Sequence, residues 1–178
     1  MAGHNKWTQI KRQKAVTDSK KSKVFSKCSK IIALAARYGA DPARNFELRT
    51  AIEKAKAENM PLDNIERAIA KGSGKGEGSD LESARYEAYG PGGTAIIIDV
   101  ITDSKNRTVA EIKHLLAEHN AKFAEQGSVL WAFDITAQKI TPKITVELSP
   151  EYKEALGKLV EALADLDDTQ EIYTNALG

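Results

Sequence analysis

Apolar residues recur along this chain with two different periods, and the period changes near its middle. From about Lys20, residues Val24, Phe25, Cys28, Ile31, Ile32 and Ala35 follow the i, i+3, i+4, i+7, i+8 spacing of one buried helix face. Lys23, Lys27, Lys30 and Arg37 fall together on another side of the same wheel, so one face packs while the other presents a cationic stripe. Gly39 is placed to end this helix, and Asp41-Pro42 reads as N-cap and first residue of the next. Leu48, Ala51, Ile52 and Ala55 form the apolar stripe of a second helix. Pro61 opens a third, through Leu62, Ile65 and Ile69 to Gly72. Three such helices close a small bundle.

Beyond residue 80 strand-like segments enter. Ala84 to Tyr89 predicts a short strand, Tyr89-Gly90-Pro91-Gly92-Gly93 a turn, and Thr94 to Thr102 an apolar strand buried on both faces. Thr108 and Glu111 fit a capping box, with Asn106 competing as N-cap, for a helix carrying Val109, Ile112, Leu115 and Leu116. Ser128 to Phe133 predicts a strand, and Ile144, Val146 and Leu148 alternate as in another. Ser149-Pro150 starts a helix with the stripe Tyr152, Leu156, Leu159, Val160 and Leu163, and Gln170 to Thr174 predicts a last strand. From Thr94 the order is βαββαβ, the ferredoxin-like arrangement, with the Ala84 strand extending or edging the sheet. The expected class is therefore α+β: an N-terminal three-helix bundle, residues 1–76, then a ferredoxin-like domain with an extra N-terminal strand, residues 77–178.

Charge sharpens this division. The first 37 residues hold ten cations, Lys6, Lys11, Arg12, Lys14, Lys20, Lys21, Lys23, Lys27, Lys30 and Arg37, against the single acid Asp18. To Gly76 the balance is +10 and from Glu77 onward it is −9, although the whole chain is formally +1. Such asymmetry points to a polyanionic partner, because a stretch this basic repels itself unless one meets it. Lysines and arginines neutralise phosphates and release counterions, and Trp7 among them offers a ring that either stacks on a base or packs on the bundle. A membrane surface fits less well, since few large apolar residues accompany the charges. No run of 18 apolar residues is present, and no apolar segment follows the basic N-terminus as in a secretory signal. An organelle transit peptide is disfavoured because the basic stretch continues into a patterned helix. The single Cys28 allows no internal disulfide, fits a reducing cytoplasm, and stands among helix-core positions as a small buried hydrophobe rather than a reactive thiol.

Candidate catalytic chemistry is sparse. Gly72-Ser73-Gly74-Lys75-Gly76-Glu77-Gly78 invites comparison with a phosphate loop, but the Walker spacing is absent and no apolar strand precedes it, so a linker is expected. His114 and His119 stand five apart on one helix, which does not align them as ligands, and a lone cysteine gives no zinc spacing. Asp165, Asp167 and Asp168 can hold a divalent cation or act in acid–base chemistry, against the plainer reading of a solvated helix end. No nucleophile elbow or Cys–His pattern occurs. No metal site, cofactor or catalytic residue is expected.

Certain blocks are distinctive as they stand. Ala2-Gly3-His4-Asn5-Lys6-Trp7, Lys56-Ala57-Glu58-Asn59-Met60-Pro61, Asp63-Asn64-Ile65-Glu66-Arg67-Ala68-Ile69, Tyr86-Glu87-Ala88-Tyr89-Gly90-Pro91-Gly92-Gly93, Asn106-Arg107-Thr108, Gly127-Ser128-Val129 and Tyr173-Thr174-Asn175 resemble, in order, the YebC family of PmpR-type transcriptional regulators. That family includes the mitochondrial translational activator of cytochrome oxidase subunit one. The resemblance implies a helical first domain followed by ferredoxin-like α/β domains, no catalytic residues, and one of two roles: DNA-binding transcriptional regulation, or ribosome-associated translation. It also implies a third domain inserted after the strand ending near Asp134. Here only Ile135 to Pro142 stands at that place, so the insert is expected to be missing and this stretch to connect neighbouring strands.

The reading that results is a cytoplasmic, non-enzymatic nucleic-acid-binding regulator. Its partner is DNA or, alternatively, ribosomal RNA, and the site comprises Lys6, Trp7, Lys11, Arg12, Lys14, Lys20, Lys21, Lys23, Lys27, Lys30 and Arg37. Charge does not separate the two targets, and the sequence leaves the oligomeric state open.

Overall fold

The structure is a computed structural model and describes residues 18–74, 80–137 and 139–178. Two compact units form among these residues. One holds 18–74, 80–83 and 101–104, the other 84–100, 105–137 and 139–178.

The first unit contains α1 (Asp18–Ala36), α2 (Phe46–Ala57) and α3 (Leu62–Gly72). Cys28, Ile32, Ala35, Leu48, Ala55, Met60 and Ile65 form its core, the stripes that helical spacing predicts. Gly39, at φ +141°, follows α1 and donates its N–H to the Ala36 carbonyl. The start of α2 departs from expectation. Asp41 builds a turn instead of a cap, its Oδ1 accepting from the Ala43 N–H at 2.9 Å, and Asn45 is the N-cap, accepting from the Leu48 N–H at 3.0 Å. Four residues are spent on the turn because the Asn45 amide also donates to the carbonyls of Ala35 and Gly39, at 2.8 Å each, locking the end of α1 to the start of α2. A Cβ at Gly72 would lie 2.0 Å from the Ala33 carbonyl oxygen, so α1 and α3 meet backbone to backbone there. A second, smaller cluster joins Ala33, Leu81 and Ile101, with Ile31 and Leu34 against it.

The sheet is formed by β1 (Glu82–Tyr89), β2 (Ala95–Thr102), β3 (Lys122–Ala124) and β6 (Thr169–Thr174), in the order β3-β1-β2-β6. β1 pairs antiparallel with β3, and β2 with β6, Ile98 standing opposite Ile172. The crossover from β2 to β3 through α4 (Lys105–Glu118) straddles β1, the split βαβ connection of ferredoxin-like sheets. One face of β2, Ile96, Ile98 and Val100, packs on Ile112 and Leu116 of α4 and on Leu156, Leu159 and Leu163 of α5 (Pro150–Asp165). Its other face, Ala95 and Ile97, packs on Val129, Ala132 and Phe133. β2 is thus buried on both sides, as its continuous apolar run requires.

The α+β class holds, three helices followed by an antiparallel sheet with helices, but several segments take other places than expected. β1 is an interior strand, because the Gly90–Thr94 hairpin, closed by the Gly90 N–H on the Thr94 carbonyl at 2.8 Å, sets it beside β2 while β3 pairs along its other edge. Ser128 to Phe133 is no sheet strand. It turns through a 3₁₀ segment at Leu130–Ala132, which directs Val129, Ala132 and Phe133 inward. Ile144 to Leu148 makes only one bridge, Val146 with Ala176, although its alternation suits a strand. Residues 135–142 therefore do not join two neighbouring sheet strands. They belong to a separate hairpin of β4 (Phe133–Ile135) and β5 (Ile140–Pro142), closed by the Thr136 N–H on the Lys139 carbonyl at 2.9 Å. Asn175 stitches this region to the sheet, accepting from the Ala95 N–H at 2.8 Å and donating to the Ile144 carbonyl at 2.9 Å.

Candidate nucleic-acid interface

Of the residues expected to contact nucleic acid, Lys6, Trp7, Lys11, Arg12 and Lys14 lie outside the described residues. Lys20, Lys21, Lys23, Lys27 and Lys30 all stand on α1, which the apolar stripe through Cys28 and Ile32 anchors to the bundle. Lys20 and Lys21 are exposed at the first turns, while Lys23, Lys27 and Lys30 are half-buried, and each of these three is already engaged in an interaction. The cationic stripe does not run the length of the helix. One turn beyond Lys30, Ala33 and Leu34 are packed with Leu81 and Ile101, on the side where the wheel leaves solvent. Arg37 is exposed but its guanidinium donates to the Leu81 carbonyl, which gives it a structural task at the end of α1.

The basic surface of this unit is broader than the sequence pattern singles out. Arg44, Arg49, Lys54, Lys56, Arg67 and Lys71 are exposed on α2, α3 and the turn before α2. No periodic signal marks them, because they are interleaved with Glu47, Glu53, Glu58, Asp63 and Glu66.

The other candidate chemistry resolves into structure. Asp168 is 2% exposed, and its Oδ2 accepts from the Thr108 hydroxyl at 2.7 Å and from Arg107 Nη2 at 2.8 Å. Thr108 is therefore a buried tether inside α4 and not a cap, and the Asp168 carboxylate is committed to holding α4 against the start of β6. Among the described residues no group of three or more His, Cys, Asp or Glu side chains is placed to hold a metal ion. His114 faces Glu118 at 3.4 Å on the surface of α4. Burial pushes the Cys28 thiol above its ordinary pKa, with Lys54 opposing and Glu58 adding, as befits a small core side chain. No described helix is long and apolar enough to cross a membrane.

Two further anchors were not expected from sequence. Glu87, buried in β1, accepts from the N–H groups of Gly127 at 2.7 Å and Val129 at 2.9 Å. Tyr89 donates its hydroxyl to the Ser128 carbonyl at 2.7 Å and accepts from Trp131 Nε1 at 3.1 Å. The Tyr86 to Gly93 block and the Gly127-Ser128-Val129 block are thus one structural knot.

Comparison with known proteins places this architecture. Residues 5–75 match the TACO1/YebC protein N-terminal domain, and residues 81–138 match the TACO1/YebC second and third domain. The chain belongs to the TACO1/YebC family. It is 47% identical over 175 residues to a probable transcriptional regulatory protein of Desulfosudis oleivorans, covering 98% of this chain and 71% of that one. It is 51% identical over 182 residues to a protein of the same description from Trichodesmium erythraeum, covering 98% and 70%. A third, from Desulforamulus reducens, is 38% identical over 238 positions and covers 98% of both chains. That alignment is longer than the 178 residues here, so this relative carries segments with no counterpart in the present chain. The match to the second and third domain ends at residue 138, between β4 and β5, where a short hairpin stands in place of the expected insert. The crystal structure of a conserved hypothetical protein from Aquifex aeolicus superposes with a TM-score of 0.87 at 30% identity, over 97% of each chain. The names of the relatives support a regulatory role for the family.

Proposed function

We propose that this chain is a non-enzymatic, cytoplasmic regulatory protein that binds nucleic acid, acting on DNA as a transcriptional regulator. Residues 1–76 supply the contacts and the acidic 77–178 portion remains clear of the phosphates. The observation that carries this reading is the set of lysines on α1: Lys23, Lys27 and Lys30 lie away from the apolar stripe that anchors the helix, and Lys20 and Lys21 stand exposed at its first turns. Five cations on a fixed helix meet a phosphate backbone without the entropy cost of ordering a chain, and they bind many sequences alike. Lys6, Trp7, Lys11, Arg12 and Lys14 extend the same basic segment in sequence, and Arg37 closes it. The relatives' description as probable transcriptional regulatory proteins favours DNA over ribosomal RNA as the target.

The test is the salt dependence of binding. The parent, a Lys20→Ala/Lys21→Ala variant and a Lys23→Ala/Lys27→Ala/Lys30→Ala variant are compared on duplex DNA and on ribosomal RNA over a range of salt. Each duplex-phosphate contact removed lowers the magnitude of the log-affinity against log-salt slope by about 0.9, with thermal unfolding as the check on folding. Parental affinity and slope in both variants would show that this face only meets solvent. Tighter, steeper binding to ribosomal RNA than to duplex DNA would move the target to the ribosome.

A further inference from the structure

Two large aromatic rings stand in water at the α1–α2 junction, Tyr38 on the loop after α1 and Phe46 on the first residue of α2. Tyr38 is 81% exposed and Phe46 is 71% exposed, the two most exposed of the large hydrophobic side chains described. Neither belongs to the core cluster that α1, α2 and α3 share. Both leave the backbone beside the same tether, Tyr38 next to Gly39 and Phe46 next to Asn45, whose amide donates to the Gly39 carbonyl at 2.8 Å. The loop is built to stay in place. Asn45 also bonds Ala35 and caps α2, Gly39 holds φ +141°, and the Asp41 carbonyl accepts from the N–H groups of Arg44 and Asn45.

One cation lies over a ring and a second stands on the turn between them. The Arg49 guanidinium lies 5.4 Å from the centre of the Phe46 ring and donates to the Pro42 carbonyl at 3.3 Å. Arg44 is almost fully exposed, 3.7 Å from the Asp41 carboxylate, and Arg37 stands directly before Tyr38. The acids in this stretch are Asp41, already turned onto the Ala43 N–H and Arg44, and Glu47 at the first turn of α2, where it faces the helix dipole. Single exposed aromatics are ordinary. Two flanking one pinned turn, with Arg49 over one ring and Arg44 exposed on the turn itself, combine what an unpaired nucleobase and its phosphate require: flat π faces, planar guanidinium groups and fixed positive charge. Duplex bases, stacked on one another, offer such rings no face.

We infer that the α1–α2 junction is a stacking platform for unpaired bases, with Tyr38 and Phe46 taking bases and Arg44 and Arg49 the adjoining phosphates of a single-stranded nucleic acid. This rests on the nucleic-acid-binding function proposed above and adds a preference for single strands at a second place on the same unit. DNA and RNA share the chemistry, and the assay separates them.

The experiment uses the full chain with labelled single strands of about 12 nucleotides, as DNA and as RNA of one sequence, and with a duplex of the same length. Each oligonucleotide is also made with one 2-aminopurine, whose fluorescence falls when it stacks. Tyr38→Ala and Phe46→Ala should each weaken single-strand binding by about tenfold and restore the 2-aminopurine signal, while duplex affinity and salt slope stay parental. Phe46→Trp should retain binding and quenching. Equal losses on DNA and RNA mean that bases alone are read, and a greater loss on one identifies the source. Parental single-strand affinity in the Tyr38→Ala/Phe46→Ala double variant, with duplex binding intact, overturns the platform and leaves the function above standing. A parent that binds neither form overturns both.

Discussion

At the scale of single residues, burial does more than spacing to set chemical behaviour. Tyr173 on β6 stands opposite Ile97, half-buried against the second face of the sheet, and its phenol is pushed up to about 12. Desolvation is the main cause, with the Glu171 and Asp99 carboxylates adding and Arg85 opposing. The fold favours the neutral phenol, so its contribution is fully present below the ordinary value of 10 and is lost as pH rises through about 12. An absorbance titration should resolve one of the five tyrosines ionising last, near pH 12. Tyr173→Phe should remove that phase and flatten the fall in stability between pH 10 and 12. A single step near 10 for all tyrosines would mean that this face is open to water. The residues that pin the second unit, Asp168 on Arg107 and Thr108, Glu87 on Gly127 and Val129, and Asn175 on Ala95 and Ile144, join positions 31 to 80 apart. No local pattern encodes such pairs. The acidic cluster at 165–168 therefore reads in sequence as a solvated helix end, whereas in the fold its most buried member ties α4 to the start of β6.

Among the elements, helices were legible because each carries its own period and end signals, and of the strands β1, β2 and β6 lie where turn signals and apolar runs place them. β2 is a run of apolar residues with no alternative reading. β3 is three residues, Lys122–Ala124, with no pattern at all, yet it forms the edge that makes β1 interior. Ser128 to Phe133 misleads because its inward residues, Val129, Ala132 and Phe133, are spaced three and one apart, a turn's spacing inside a β-like composition. Gly72 was legible as a helix end but not as a contact. Within a helix, Gly→Ala normally stabilises by up to about 1 kcal/mol. Here the added methyl would meet the Ala33 carbonyl at 2.0 Å, backbone that has no rotamer with which to yield. Gly72→Ala should thus reverse the usual sign and destabilise the chain by about 2 kcal/mol in denaturant unfolding, as α1 and α3 are forced apart. A gain in stability would show that the helices do not touch at this point.

Across the whole molecule the near-neutral total conceals its organisation. The +10 of residues 1–76 and the −9 of residues 77–178 are large for segments of this length, and each alone is far more charged than the sum. Polarity of charge is legible in the sequence because it needs no geometry. What it lacks is the surface that carries it, which depends on where Leu81 and Ile101 cover α1 and where the α1–α2 junction lifts its rings. If the acidic portion stays clear of the bound phosphates, it acts on nucleic acid only through its long-range field. That field reaches roughly 30 Å at 0.01 M salt and about 8 Å at 0.15 M. Neutralising exposed acids there, for example Glu125→Gln, Glu147→Gln and Glu151→Gln together, should tighten duplex binding several-fold at about 0.01 M and leave it unchanged at about 0.15 M. The reverse pattern of charge, Lys20→Ala with Lys21→Ala, should weaken binding at both, since a direct phosphate contact is lost at any salt. A roughly tenfold gain at about 0.15 M from the three glutamine substitutions would place acidic side chains within a few ångströms of the phosphates, and the division of labour between the two portions would have to be abandoned.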